Sequence, residues 1–181
     1  SEMKARNADI AFPTIIAMGK NAAIPHHVTD NSKLTSGFLL FDFGARYKNY
    51  CADMTRVVFF GKPTKEETSY YNLLLNCQQT TIRYIAEKKP FLDLDHYARK
   101  ALGKFSTHFI HSLGHGIGIE VHEAPLFSNQ DSIIQKNNVF TIEPGIYVKN
   151  SFGLRIEDTL SFTGKTRILT TAPKELLKFS K

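Results

Sequence analysis

Asp42, Asp53, Glu143 and Glu157 occupy matching places in two strand–turn–strand patterns, and their spacing is suited to holding a cation. A turn centred between Tyr47 and Lys48 sets Asp42 directly opposite Asp53 in an antiparallel pair, and a turn centred on Asn150 sets Glu143 opposite Glu157. Directly opposed side chains have Cβ atoms about 4.5–5.5 Å apart, where like charges destabilise the pair. A solvated face would tolerate them, but Leu39, Leu40, Phe41, Phe43, Val57 and Val58 flank the first pair with apolar groups. A bound cation removes the repulsion. Arg155 lies two residues from Glu157 and so shares its face of a regular strand.

Histidines supply the second signal: His26 precedes the first hairpin, while His111, His115 and His122 fall in the run HSLGHGIGIEVHE. A lone histidine is ordinarily a surface or core residue. Three of them interleaved with Gly114, Gly116 and Gly118 point instead to backbone folded tightly around a site. The run is not the HExxH helix of a zinc protease, because glycine at this density disfavours helix and no Glu follows His111. Nor does it have the spacing of a dinucleotide loop. Asp42-Phe43-Gly44 imitates a kinase element without the other kinase signatures.

If Asp42, Asp53, His115, Glu143 and Glu157 converge, the four carboxylates bring a charge of −4 into one cavity. Such a set takes up protons or cations, and two divalent ions cancel it. Oxygen donors with one imidazole suit manganese, cobalt or zinc rather than a thiolate-seeking metal. Two such ions roughly 3.5–4 Å apart share a water, lower its pKa towards about 7 and hold a carbonyl oxygen, which is hydrolytic chemistry.

The elements that must position these groups are legible from periodicity and punctuation. Residues 13–18 form an apolar strand before a polar loop through Pro25, His26 and His27; residues 37–45 and 50–60 form a hairpin closed by 46–49. Thr64 with Glu67 has the form of a capping box, and Tyr71, Leu74, Leu75, Ile82 and Ile85 line one face of a long helix that Pro90 ends. A second helix starts at Asp93 as cap and stops at Gly103. Residues 114–121 form an extended glycine-rich stretch, and 139–148 with 152–162 form another strand pair. Strands, two helices, then strands favour an α+β fold.

Composition narrows the classes. With 42% apolar and 22% charged residues the chain is that of a globular protein able to bury its own core. The net charge of +6 is dispersed, with Lys88-Lys89 the longest basic run, so no nucleic-acid partner is expected. No apolar run spans a bilayer and no secretion signal opens the chain, so the expectation is no membrane partner and a cytoplasmic location. Cys51 and Cys77 are expected as free thiols.

Taken together, IPHHVTDN (24–31), FDFG (41–44), CADMTR (51–56), HSLGHGIGIEVHEAP (111–125), TIEPGIY (141–147) and RIEDT (155–159) resemble the catalytic domain of the pita-bread metallopeptidases. The resemblance lies on their proline-peptidase branch of Xaa-Pro dipeptidases and aminopeptidase P. It covers residues 12–163, with Pro25-His26-His27 and Arg155 to Asp158 less like methionine aminopeptidases. It implies an antiparallel pita-bread sheet with covering helices and a dinuclear site, manganese first with cobalt or zinc as alternatives. The metal ligands would be Asp42, bridging Asp53, His115, Glu143 and Glu157. His26 and His122 would bind substrate and stabilise the tetrahedral intermediate, Glu143 would shuttle a proton, and His111 with Arg155 would hold the prolyl side. Proline-containing peptides are the implied partners.

Residues 1–181 would then be a single metallopeptidase domain incomplete at its N-terminal side, because helices precede only the second group of strands. An apolar face left uncovered would suit a homodimer. The rival from another class is a non-catalytic peptide-binding module on the same fold, or an inactive fragment of the enzyme. Metal content measured together with hydrolysis separates them.

Overall fold

The computed structural model describes residues 2–179. A short helical turn α1 (Glu2–Ala5) leads into strands β1 (Asp9–Ile10), β2 (Ile15–Met18), β3 (Gly37–Phe43), β4 (Ala45–Tyr47), β5 (Tyr50–Cys51) and β6 (Met54–Phe60). Helices α2 (Lys65–Tyr84) and α3 (Phe91–Leu102) follow. The remaining strands are β7 (His115–Gly116), β8 (Glu123–Leu126), β9 (Asn138–Ile142), β10 (Gly145–Val148), β11 (Phe152–Arg155), β12 (Asp158–Phe162), β13 (Thr166–Ile168) and β14 (Lys178–Phe179). They make two main sheets, ordered β14-β6-β3-β2 and β13-β12-β9-β7-β8, with smaller ribbons β1-β4-β5 and β10-β11. The α+β expectation describes this arrangement.

Each sheet is built on an interrupted hairpin. In the first, β3 pairs with β6 and the tip β4 pairs with β5, with a break at Gly44 on one side and Ala52-Asp53 on the other. A Cβ on Gly44 would lie 1.8 Å from the Ala52 carbonyl oxygen, so only glycine allows this approach. In the second, β9 pairs with β12 and β10 with β11, and the break falls at Glu143-Pro144 and Ile156-Glu157. Proline has no N–H to give a ladder, which accounts for the gap at Pro144. Both interruptions lie at the level of the carboxylates.

The second hairpin keeps the expected register on both sides of its break, with Ile142 opposite Asp158 and Gly145 opposite Arg155. The first does not. Its turn is the two-residue Lys48-Asn49, both at positive φ, and Asp42 faces Thr55 rather than Asp53. Paired left-handed residues are what a tight hairpin turn requires, and asparagine tolerates that conformation. The shift is two residues, so Asp42 and Thr55 still face the side expected for the acids.

The capping box forms as expected: the Thr64 hydroxyl accepts from Glu67 N–H at 3.1 Å, and Thr64 N–H donates to Glu67 Oε2 at 2.8 Å. Helix α2 ends at Tyr84, ahead of Pro90, because Ile85 turns to extended backbone. Pro90 instead precedes α3 as its N-cap, which puts Asp93 in the first turn, where its charge favours the helix N-terminus, rather than at the cap. Gly103 closes α3 with φ +55°. The stretch 114–121 is a strand only at His115–Gly116; beyond it the chain loops.

Leu74 and Cys77 of α2, Leu94 and Ala98 of α3, Phe140 and Ile142 of β9, Leu160 of β12 and Leu40 and Phe59 of the first sheet share one apolar core. A polar joint ties the sheets beside it. Fully buried Asp158 accepts from Arg56 Nη2 (2.7 Å), Gln78 Nε2 (2.7 Å), Lys174 Nζ (2.6 Å) and Thr170 Oγ1 (2.9 Å). Four donors satisfy a carboxylate that would otherwise be costly to bury. The joint fixes β6 against β12, the strands that lead to Asp53 and Glu157.

Candidate metal centre

All nine residues singled out from the sequence line one cavity of about 330 Å³: His26, Asp42, Asp53, His111, His115, His122, Glu143, Arg155 and Glu157. Asp42 comes from the end of β3, Asp53 from the break before β6, His115 from the start of β7, and Glu143 and Glu157 from the break in the second hairpin. An interrupted ladder lets these acids turn towards a common centre instead of standing rung against rung. Gly114 brings the histidine strand close, since a Cβ there would lie 2.1 Å from the Thr141 carbonyl oxygen.

His115 Nδ1 lies 3.1 Å from the Gly116 carbonyl oxygen, so that nitrogen carries the proton in the neutral ring and Nε2 presents a lone pair. That lone pair faces Glu143 Oε1 at 3.4 Å and Asp53 Oδ2 at 3.6 Å. Ligand atoms of Asp53, His115 and Glu157 lie within 4.8 Å of one another. Among the described residues, Asp42 Oδ1, Asp53 Oδ1 and Glu157 Oε1 are buried acceptors without a hydrogen bond. Orphaned carboxylate oxygens around an imidazole lone pair are what a divalent cation requires. The residues fit the metal.

Electrostatics agree. Burial first, then Glu157, Asp42 and Glu143, raise the Asp53 pKa far above the carboxylate range. Burial and then Glu157 raise Glu143 well above it, and burial followed by Asp42 pushes Glu157 up to about 7. Burial opposes the charge on Arg155, but Tyr147, Asp42, Glu143 and Glu157 outweigh it and hold the guanidinium protonated. Burial pushes His111 and His115 down to about 4, and it lowers His122 as well.

Threonines two residues from the acids hold the cage. Thr55 Oγ1 donates to Glu157 Oε2 at 2.6 Å, Thr141 Oγ1 donates to Glu143 Oε1 at 3.2 Å, and Thr159 Oγ1 donates to the Asp53 carbonyl at 2.7 Å. Sequence reasoning passed over them, although a strand's period of two puts Thr55 on the face of Asp53 and Thr141 on the face of Glu143. It also passed over Asp95 and Arg99, one turn apart on α3. Arg99 donates to the Phe109 and His111 carbonyls at 2.7 and 2.8 Å, and Asp95 accepts from Leu113 N–H at 3.0 Å. An acid four residues before an arginine on a helix is the signal that could have found them.

His111 and Arg155, expected to hold the prolyl side, both line the cavity and are hydrogen-bonded to its wall. His111 Nδ1 donates to the Ser112 carbonyl at 2.8 Å, so Nε2 accepts from the Tyr147 hydroxyl at 2.8 Å. Arg155 is 3% exposed; Nε donates to Thr55 at 2.9 Å, Nη1 to the Tyr147 oxygen at 2.8 Å and Nη2 to Asp42 at 2.5 Å. With a further bond from Nη1 to the Pro25 carbonyl, four of the five Arg155 N–H groups are taken and its charge is paired with Asp42. Both residues brace the cavity wall in this arrangement, and His111 offers substrate a neutral ring rather than a proton.

The fold recurs in solved structures. A recombinant prolidase from Thermococcus sibiricus superposes with TM-score 0.91 at 40% identity, over 94% of this chain and 48% of that one. An Xaa-Pro dipeptidase from Bacillus anthracis gives 0.90 at 35% identity, over 94% and 50%, and an X-Pro aminopeptidase from Thermotoga maritima gives 0.89 at 39%, also over 94% and 50%. The sheets and helices are therefore those of the pita-bread fold. An uncharacterized peptidase of Staphylococcus aureus is 38% identical over 161 residues, which cover 87% of this chain and 46% of the relative. The chain thus spans about half the length of the relatives it matches. The model of metallopeptidase family M24 matches residues 2–164, a range that takes in both carboxylate-bearing hairpins and the histidine strand between them, and the chain belongs to that family.

Proposed function

We propose that this chain carries the metal-binding part of an exopeptidase that hydrolyses the bond before a proline in second position, with 1–181 acting as one catalytic unit. The observation that carries this reading is the set of three buried carboxylate oxygens without partners, on Asp42, Asp53 and Glu157, in the cavity where His115 Nε2 faces Asp53 and Glu143. The proline specificity is supported by the prolidases, Xaa-Pro dipeptidase and X-Pro aminopeptidase that the chain is similar to. Asp42, Asp53, His115, Glu143 and Glu157 would hold two divalent cations, manganese being the first to test. Two free cysteines suit a reducing, cytoplasmic compartment.

When bound, the cations supply a Lewis acid and lower the pKa of water to near neutrality. The chain's own residues do the rest. Glu143, held by the Thr141 hydroxyl, would take a proton from the attacking water at its carboxylate and pass it to the departing proline nitrogen. That nitrogen needs it, because the Xaa-Pro amide is tertiary and carries no N–H. His122, its ring centroid 4.0 Å from that of His115, and His26 face the cavity as donors to the carbonyl oxygen as charge develops there.

Hydrolysis of Xaa-Pro peptides after addition of manganese, cobalt or zinc tests the reading. Two bound ions per chain without cleavage would leave the non-catalytic module standing in its place. His122→Ala should lower kcat by about 10²-fold or more, the typical loss of an oxyanion donor. Metal content should be unchanged; unaltered kcat would remove His122 from the mechanism.

A further inference from the structure

In a dipeptide the proline of Xaa-Pro bears a free carboxylate, whereas in a longer peptide it bears a neutral amide. Which of the two a site accepts depends on whether an uncommitted cation faces the prolyl group. Among the described residues lining the cavity, Arg155 is the one Lys or Arg side chain. Its Nε and both terminal nitrogens are already hydrogen-bonded to Thr55, Tyr147, Pro25 and Asp42. His111 has no proton to offer once Nδ1 donates to Ser112 and Nε2 accepts from Tyr147. His26 stands exposed to water, where attraction to a carboxylate is screened. The rim adjoining these groups carries apolar Leu126, 54% exposed, and buried Phe127.

A carboxylate entering this cavity would lose hydration without gaining a counter-ion, and the four acids that neutralise two divalent cations leave little positive charge over. An unpaired charge taken from water is among the costlier events in a binding site. One further residue replaces it with an amide and carries the carboxylate outward by about 3.3–3.6 Å towards solvent. Ser128, also on the cavity wall, has a hydroxyl able to donate to an amide carbonyl.

We propose that this site selects Xaa-Pro-Yaa and longer peptides over Xaa-Pro dipeptides, because among the described residues lining it no uncommitted cation meets a carboxylate on the proline. The inference rests on the peptidase reading above and specifies its substrate class. The penalty is present in the bound ground state and in the transition state alike, so it falls on KM more than on kcat.

Three substrates separate charge from length: Ala-Pro, Ala-Pro-NH2 and Ala-Pro-Ala, each assayed with the metal-loaded chain. The amide and the tripeptide should exceed the dipeptide in kcat/KM by about tenfold or more, mostly through KM. A dipeptide cleaved as well as its amide overturns the inference and leaves the peptidase reading intact; cleavage of none of the three ends both. Leu126→Arg supplies the absent cation at an exposed position. It should raise kcat/KM for the dipeptide relative to the amide by about tenfold, and an unchanged ratio would show that the missing counter-charge is not the cause.

Discussion

Asp53→Asn is expected to abolish hydrolysis and, in the metal-free chain, to raise the melting temperature. The two effects have one cause. Asp53 is buried, one of its oxygens has no partner, and Glu157, Asp42 and Glu143 crowd it with like charge after burial has already raised its pKa. Asparagine keeps the shape, is neutral without the proton that a buried Asp53 must take up on folding, and adds an N–H2 that can donate to neighbouring carboxylates. The backbone hydrogen bonds from Asp53 to Thr159 do not involve the altered group. A lost Lewis-acid site forfeits several kcal/mol of transition-state stabilisation, so kcat/KM should fall by about 10³-fold or more. Each kcal/mol recovered by sparing that protonation should raise the melting temperature of a chain this size by about 2–4 °C. Thermal melts in chelator and metal analysis check both. Retained hydrolysis, or a metal-free variant that melts lower than the parent, would remove Asp53 from the centre of the site.

The same residues show why the site was legible from sequence while parts of the fold were not. The second hairpin kept its expected register because an Asn150-centred turn lies between strands whose numbering it fixes on both sides of the Pro144 break. The first slipped because Lys48 and Asn49 both adopt positive φ, a choice made by the turn and not by strand composition. A slip of two residues leaves every side chain on its own face, so Asp42 remained in the cavity even though its rung partner is Thr55. A slip of one would have turned it away. The error was therefore harmless to function for a geometric reason.

Commitment of donors was beyond sequence reading. That Arg155 and His111 belong near substrate follows from motif and face; that Tyr147 joins them is decided by contacts across sheet and loop. The Asp158 joint is of the same kind, drawing on α2, β6 and the segment after β13 at once. Helix boundaries failed more locally. By sequence pattern Pro90 ends α2, but a proline also suits a helix start, and here it opens α3.

Saturating the chain with a divalent cation is expected to raise its melting temperature by roughly 5–10 °C, since a ligand at a hundred times its Kd contributes about 2.7 kcal/mol. The pH dependence identifies the groups responsible. A carboxyl whose pKa is higher in the folded chain takes up a proton on folding, so stability is lost as pH rises above the unfolded value near 4. Asp53, Glu143 and Glu157 all behave in this way, with burial as the first cause. His111 and His115 act in the opposite sense: their pKa falls to about 4, so their contribution is complete above about 6.5 and lost below it. Between about pH 6.5 and 8.5 the histidine contribution is constant and the slope belongs to the acids. Glu157 adds to it until about 7, and Asp53 and Glu143 continue beyond. Metal-free protein should therefore melt progressively lower across that window. In the presence of cation the slope should vanish or reverse, because metal displaces the protons that the acids would otherwise bind. Parallel slopes with and without cation would mean that the ion binds elsewhere and that the carboxylate cage is held by protons alone.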